Sequence, residues 1–81
     1  MAPHSLGFVL VETDCGKALS AVDSIRDIDG VSTAYAVTGE HDIICMVEAD
    51  DLDGLASKVV EKVQAVDGVR RTETALAVHA H

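Results

Sequence analysis

Aromatic residues are scarce in this chain. Its 81 residues hold one Phe, one Tyr and no Trp, yet 48% are hydrophobic. Any core must therefore be built from Val, Ala, Leu and Ile. Basic residues are scarce too: 6 Lys and Arg stand against 14 Asp and Glu, a net charge of −8, and Arg70-Arg71 is the only adjacent basic pair. Phosphate neutralisation dominates nucleic-acid affinity, so direct nucleic-acid binding is not expected. An acidic surface also argues against anionic membranes. No apolar run approaches the ~20 residues of a membrane-spanning helix. The start, Met1-Ala2-Pro3-His4-Ser5, lacks the charged segment of a signal peptide, so a cytoplasmic address is expected. The two cysteines, Cys15 and Cys45, form no CxxC pair, and zinc or dithiol redox spacing is absent. No cofactor or metal is expected. Cys45, inside Ile43-Ile44-Cys45-Met46-Val47, reads as core.

What the chain does contain is a duplication. Val11-Glu12-Thr13-Asp14 returns as Val47-Glu48-Ala49-Asp50, and Ile28-Asp29-Gly30-Val31 returns as Val66-Asp67-Gly68-Val69. Each half reads strand, acidic turn, helix, Asp-Gly stop, strand. The first strand spans about residues 6–12. The first helix, about 16–28, carries Leu19, Val22, Ile25 and Ile28 as a stripe beside Ala18 and Ala21, with Thr13 or Asp14 as its cap and Gly30 at its end. Strands at about 31–38 and 42–48 form a hairpin. A second helix begins near Asp51 with the stripe Leu52, Leu55, Val59, Val63 and Val66, and the last strand covers about 70–78.

This β-α-β-β-α-β order with right-handed crossovers predicts an α+β, ferredoxin-like sandwich: an antiparallel four-stranded sheet in the order 4-1-3-2, with both helices on one face. Residues 6–78 form the domain, and the segments 1–5 and 79–81 are expected to be disordered. Alternation sends Ile43, Cys45 and Val47 to one face and Ile44 and Met46 to the other; Leu6, Phe8 and Leu10 oppose Val9 and Val11. Both faces are apolar, but there are helices for only one. The uncovered face predicts a homodimer packed sheet against sheet, in the manner of dimeric α/β barrels.

The hairpin tip is Thr38-Gly39-Glu40-His41-Asp42. Its groups suit a small zwitterion: Asp42 for an ammonium, Thr38 and backbone N–H groups for a carboxylate. A plain solvated turn has the same composition. Gly7-Phe8-Val9-Leu10-Val11-Glu12-Thr13, Gly30-Val31 followed by Ala34-Tyr35-Ala36-Val37-Thr38-Gly39 and Asp42, and Gly68-Val69 followed by Arg71-Thr72 and Thr74 together resemble the effector-binding (RAM) domain of Lrp/AsnC transcription regulators. The resemblance covers residues 6–78. It implies stand-alone members without the helix-turn-helix domain, dimers that assemble further into octamer-like rings, and amino-acid effectors held in clefts between dimers. Carried over position by position, it implies ligand contacts from Tyr35, Val37, Thr38, Gly39 and Asp42, and from Thr72 and Thr74 on the last strand. His41 occupies a variable position of that family; it either lines the pocket or is an exposed turn histidine.

Two outputs are compatible with this picture. One is a self-assembling regulatory module that modulates transcription indirectly, through ligand-dependent oligomerisation or co-assembly with full-length Lrp/AsnC regulators. The other is a small ferredoxin-like dimeric enzyme of the monooxygenase or isomerase type using His41 and Asp42. Arg70 and Arg71 either pair with acids of a neighbouring subunit or form a solvated strand end.

Overall fold

The computed structural model describes residues 5–77. Four strands, β1 (Ser5–Thr13), β2 (Val31–Ala36), β3 (Ile43–Ala49) and β4 (Val69–Leu76), form one antiparallel sheet in the order β2-β3-β1-β4. This is the order 4-1-3-2 read from the other edge. Helix α1 (Ala18–Arg26) crosses from β1 to β2, and a second helical segment, α2 (residues 52–64), crosses from β3 to β4. Of the segments expected to be disordered, 1–5 and 79–81, residues 1–4 and 79–81 lie outside the described residues, and Ser5 is the first residue of β1.

The core sits between the sheet and the helices. Val9 and Val11 of β1 and Ile43, Cys45 and Val47 of β3 are buried, as are Ala21, Val22 and Ile25 of α1 and Leu55, Val59, Val60 and Val63 of α2. The intervening strand residues point to the other face, where none of the described residues forms a helix: Phe8 is 41% and Tyr35 57% exposed. Antiparallel register places Phe8 opposite Met46 and Leu10 opposite Ile44, with Tyr35 beside Ile44 on the other flank. This is the two-sided apolar pattern read from the sequence.

Three local expectations fail for physical reasons. Leu19 is 73% exposed. Each step of three residues turns a helix about 60° away from alignment, so the three steps from Leu19 to Ile28 sweep too wide an arc for one contact face. The central members, Val22 and Ile25, are buried, and Ile28 packs partly buried against the core. Leu52, 55% exposed, is also outside the core. Leu52 lies in the exposed first turn, residues 51–53, ahead of the stretch Leu55–Val60, which is wound as a wide π-type turn whose slower rotation brings consecutive Val59 and Val60 inward. Finally, neither Thr13 nor Asp14 caps α1. Lys17 holds the cap position without a side-chain bond. Asp14 instead donates its N–H to Gly68 O at 2.8 Å and accepts from Lys17 N at 3.0 Å. Asp51 does cap the second helix, its Oδ1 accepting from Gly54 N at 2.7 Å.

The duplication survives in three dimensions. Gly68 O accepts from Asp14 N, and Gly30 O accepts from Glu48 N at 2.7 Å, so each half's helix-ending glycine is bonded by the other half. Both glycines have positive φ, +100° at Gly30 and +92° at Gly68, where only glycine is unstrained. A Cβ on Gly30 would stand 2.5 Å from Val59 Cγ2.

Candidate functional site

The β2–β3 hairpin carries residues 37–42 beyond the sheet. Gly39, with φ +119° and open space around it, makes the reversal. Val37, Thr38, Gly39 and Glu40 are exposed, while His41 and Asp42 are half-buried. Asp42 fastens the tip. Its N–H donates to Val11 O at 2.9 Å, its carbonyl accepts from Val37 N at 2.8 Å, and its Oδ2 accepts from Thr13 N at 2.8 Å. The last bond is charge-assisted and belongs to the stronger class of hydrogen bonds. One carboxylate oxygen is thus committed to β1, and the other keeps its acceptor capacity.

His41 turns to a different partner. Its Nε2 lies 3.4 Å from Glu73 Oε1 on β4, so the hairpin reaches across the end of β1. His41 and Asp42, adjacent in sequence, are held by separate elements.

The strand residues divide between faces. Tyr35 lies on the open face. Thr72 and Thr74 pair with Val11 and Val9, which are buried under the helices, and so point to the helix side. Thr72 Oγ1 accepts from Gln64 Nε2 of α2 at 3.0 Å. Within one chain, Tyr35 and the two threonines therefore do not line a common cavity, while Thr38 and Gly39 are presented outward with Asp42 anchored behind them. Sequence reasoning missed Thr13 and Glu73 as the partners of Asp42 and His41. Both contacts join residues that are distant along the chain, and no local pattern announces them.

Burial pushes the Cys45 thiol up to about 11, partly offset by its hydrogen bond to Val9 O at 3.6 Å. It is a core side chain; Cys15 is exposed. Among the described residues, no group of three or more His, Cys, Asp or Glu converges on a metal position, and no helix is long and apolar enough to cross a membrane.

Residues 6–81 match the sequence profile of the Lrp/AsnC ligand binding domain. The chain belongs to this family. An uncharacterized HTH-type transcriptional regulator of Pyrococcus abyssi is 31% identical over 71 residues, covering 88% of this chain and 45% of the relative. The chain thus spans about half the length of the curated relatives it matches. A solved protein of Thermus thermophilus superimposes with a TM-score of 0.86 at 30% identity, covering 95% of this chain and 96% of its own. A transcriptional regulator of Neisseria meningitidis, solved as a complex with L-Met, shares the fold with a TM-score of 0.78 at 19% identity, over 93% of this chain and 50% of its own. The Lrp/AsnC module here is thus the ferredoxin-like unit inferred from the duplicated sequence, and its curated relatives are transcriptional regulators.

Proposed function

We propose that this Lrp/AsnC domain binds an amino acid at its hairpin tip and transmits the binding through self-assembly. The observation that carries this reading is the tip itself. Asp42 is pinned to the end of β1 through Thr13, so Thr38 and Gly39 are held outward as a polar edge rather than left as a loose turn. The free lone pairs of Asp42 receive the α-ammonium. Thr38 and the adjacent backbone N–H groups receive the carboxylate, with the glycine allowing close approach. Tyr35 and Val37 flank the pocket, and His41 sits at its rim. Because Thr72 and Thr74 lie on the opposite face from Tyr35, their contribution comes from a second chain. The site is therefore shared between subunits, as the family resemblance implies.

Assembly follows the same logic. The open face carrying Phe8, Leu10, Tyr35, Ile44 and Met46 packs against its two-fold mate to form a homodimer, and dimers associate through the tips into an octamer-like ring. An amino acid bridging two dimers shifts the population toward the ring in proportion to its differential affinity. The output is non-enzymatic and cytoplasmic, and it includes co-assembly with full-length Lrp/AsnC regulators. The L-Met complex of the Neisseria regulator makes amino acids the first class to screen. The test is a thermal-shift screen of the twenty amino acids, with size-exclusion light scattering of every hit. At least one amino acid should raise the melting temperature and change the mass distribution. A monomer at micromolar concentration, or a full screen without a shift, refutes the proposal.

A further inference from the structure

The duplication leaves a matched cleft on each edge of the sheet. At the β2 edge, Arg26 and residues 31–35 line a cleft of about 340 Å³; at the β4 edge, Gln64 and residues 69–72 line one of about 290 Å³. The internal bonds correspond. Arg26 Nε donates to Ala34 O at 2.9 Å, and Gln64 Nε2 donates to Thr72 Oγ1 at 3.0 Å. Ser32 Oγ donates to Glu48, and Arg70 Nη2 donates to Glu12 Oε1 at 3.2 Å. The two halves differ in charge at equivalent positions: Ser32-Thr33 at one edge, Arg70-Arg71 at the other.

Both arginines reach the same carboxylate. Arg71 Nη1 lies 3.9 Å from Glu12 Oε2. In a regular strand two consecutive side chains point to opposite faces. Here the β1–β4 register passes from Glu12 opposite Arg71 to Thr13 opposite Val69, leaving Arg70 as the extra residue of a bulge. A bulge re-aims a side chain, and bulges concentrate beside binding sites. Two guanidiniums therefore converge on one negative charge, a local cationic excess in a chain of net charge −8. Guanidinium is the side-chain group best matched to a planar carboxylate.

We propose that the β4-edge cleft is a carboxylate-binding site, with Arg70 and Arg71 as its anchors and Glu12 as an internal competitor for them. The proposal goes beyond the amino-acid reading, because its anchors Arg70 and Arg71 take no part in that site; Thr72, which lines the cleft, is the one residue the two share. The carboxylate is either that of a free small acid or an Asp or Glu side chain of a second copy of this chain.

The probe is sodium propionate, which has a carboxylate and no ammonium. It is titrated into the deuterated, ¹⁵N-labelled full chain at constant ionic strength, with sodium chloride as the control. Saturable shifts are expected at Gln64, Arg70, Arg71 and Thr72, while Ser32 and Thr33 at the matched cleft stay still. Glu12→Gln should tighten propionate about three-fold, the scale of an exposed ion pair. Arg70→Gln combined with Arg71→Gln should abolish saturation, with the rest of the spectrum unchanged. Non-saturating shifts, equal shifts with chloride, or unchanged affinity in Glu12→Gln overturn the site. Light scattering during the titration separates the two sources: dissociation of the assembly identifies a second copy, and constant mass identifies a free acid. An amino-acid hit from the thermal-shift screen should still bind the Arg70→Gln, Arg71→Gln variant, so failure of the amino-acid site and failure of this one are read separately.

Discussion

Removing the Asp42 carboxylate tests the hairpin anchor and the ligand reading in one experiment. Asp42 Oδ2 accepts the Thr13 N–H at 2.8 Å, and Thr13 is only 8% exposed. A hydrogen bond to a charged group contributes about 1.5–3 kcal/mol, and a buried N–H left without a partner costs about 1–3 kcal/mol, which is the same loss counted from the other side. Asp42 is half-buried, so about 2 kcal/mol is the expected cost of Asp42→Ala. For a domain this small, 2 kcal/mol lowers the melting temperature by about 8–16 °C. Asp42→Asn keeps an acceptor oxygen and exchanges a charged bond for a neutral one, so its cost should be about 1 kcal/mol. Thermal unfolding is measured at one fixed protein concentration, because assembly makes the midpoint concentration-dependent. If Asp42→Ala melts within about 0.5 kcal/mol of the parent, as a neutral surface substitution would, the anchor argument is wrong. Calorimetry with an amino acid found by the screen completes the test. Loss of binding in a stable Asp42→Asn identifies the charge as the ammonium receptor. Retained binding in Asp42→Asn, with loss in Asp42→Ala, makes Asp42 a positioning residue.

Two further outcomes follow from the packing. Gly30→Ala forces a non-glycine residue to φ +100° and sets a Cβ 2.5 Å from Val59 Cγ2. About 2–4 kcal/mol should be lost in urea unfolding. Gly30→Ala combined with Val59→Ala should lose less than the sum of the singles, and simple additivity would contradict the contact. For the thiols, Cys15 should react with a disulfide reagent at once near pH 8, and Cys45 only on unfolding. The folded Cys45 thiol titrates at about 11, against about 8.5 when unfolded. Its contribution to stability is full below the unfolded value and is lost as pH rises through the folded one. Equal reactivity of both thiols at neutral pH would remove Cys45 from the core.

Much of the architecture was legible because it is periodic. Alternation in β1 and β3 identified both apolar faces, and the repeated Asp-Gly stops identified the two halves. Reading stopped where contacts are long-range or where helical phase drifts. Leu19 looked like a core residue by spacing alone, and no spacing rule shows the π-type turn at Leu55–Val60. The candidate site was legible as a list of residues but not as a geometry. Thr72 and Thr74 were grouped with Tyr35 by resemblance, and strand register places them on opposite faces.

The sequence by itself determined the duplicated α+β plan, the aliphatic core and the acidic surface without a phosphate-binding stripe. These depend on residue type and local period, which one dimension carries. Only the tertiary structure decided that Asp42 is tied to Thr13, that His41 meets Glu73, and that a bulge at Arg70 turns two neighbouring arginines toward Glu12. Each of those contacts is set by how β1 pairs with the strands beside it, and pairing register is a property of the folded sheet.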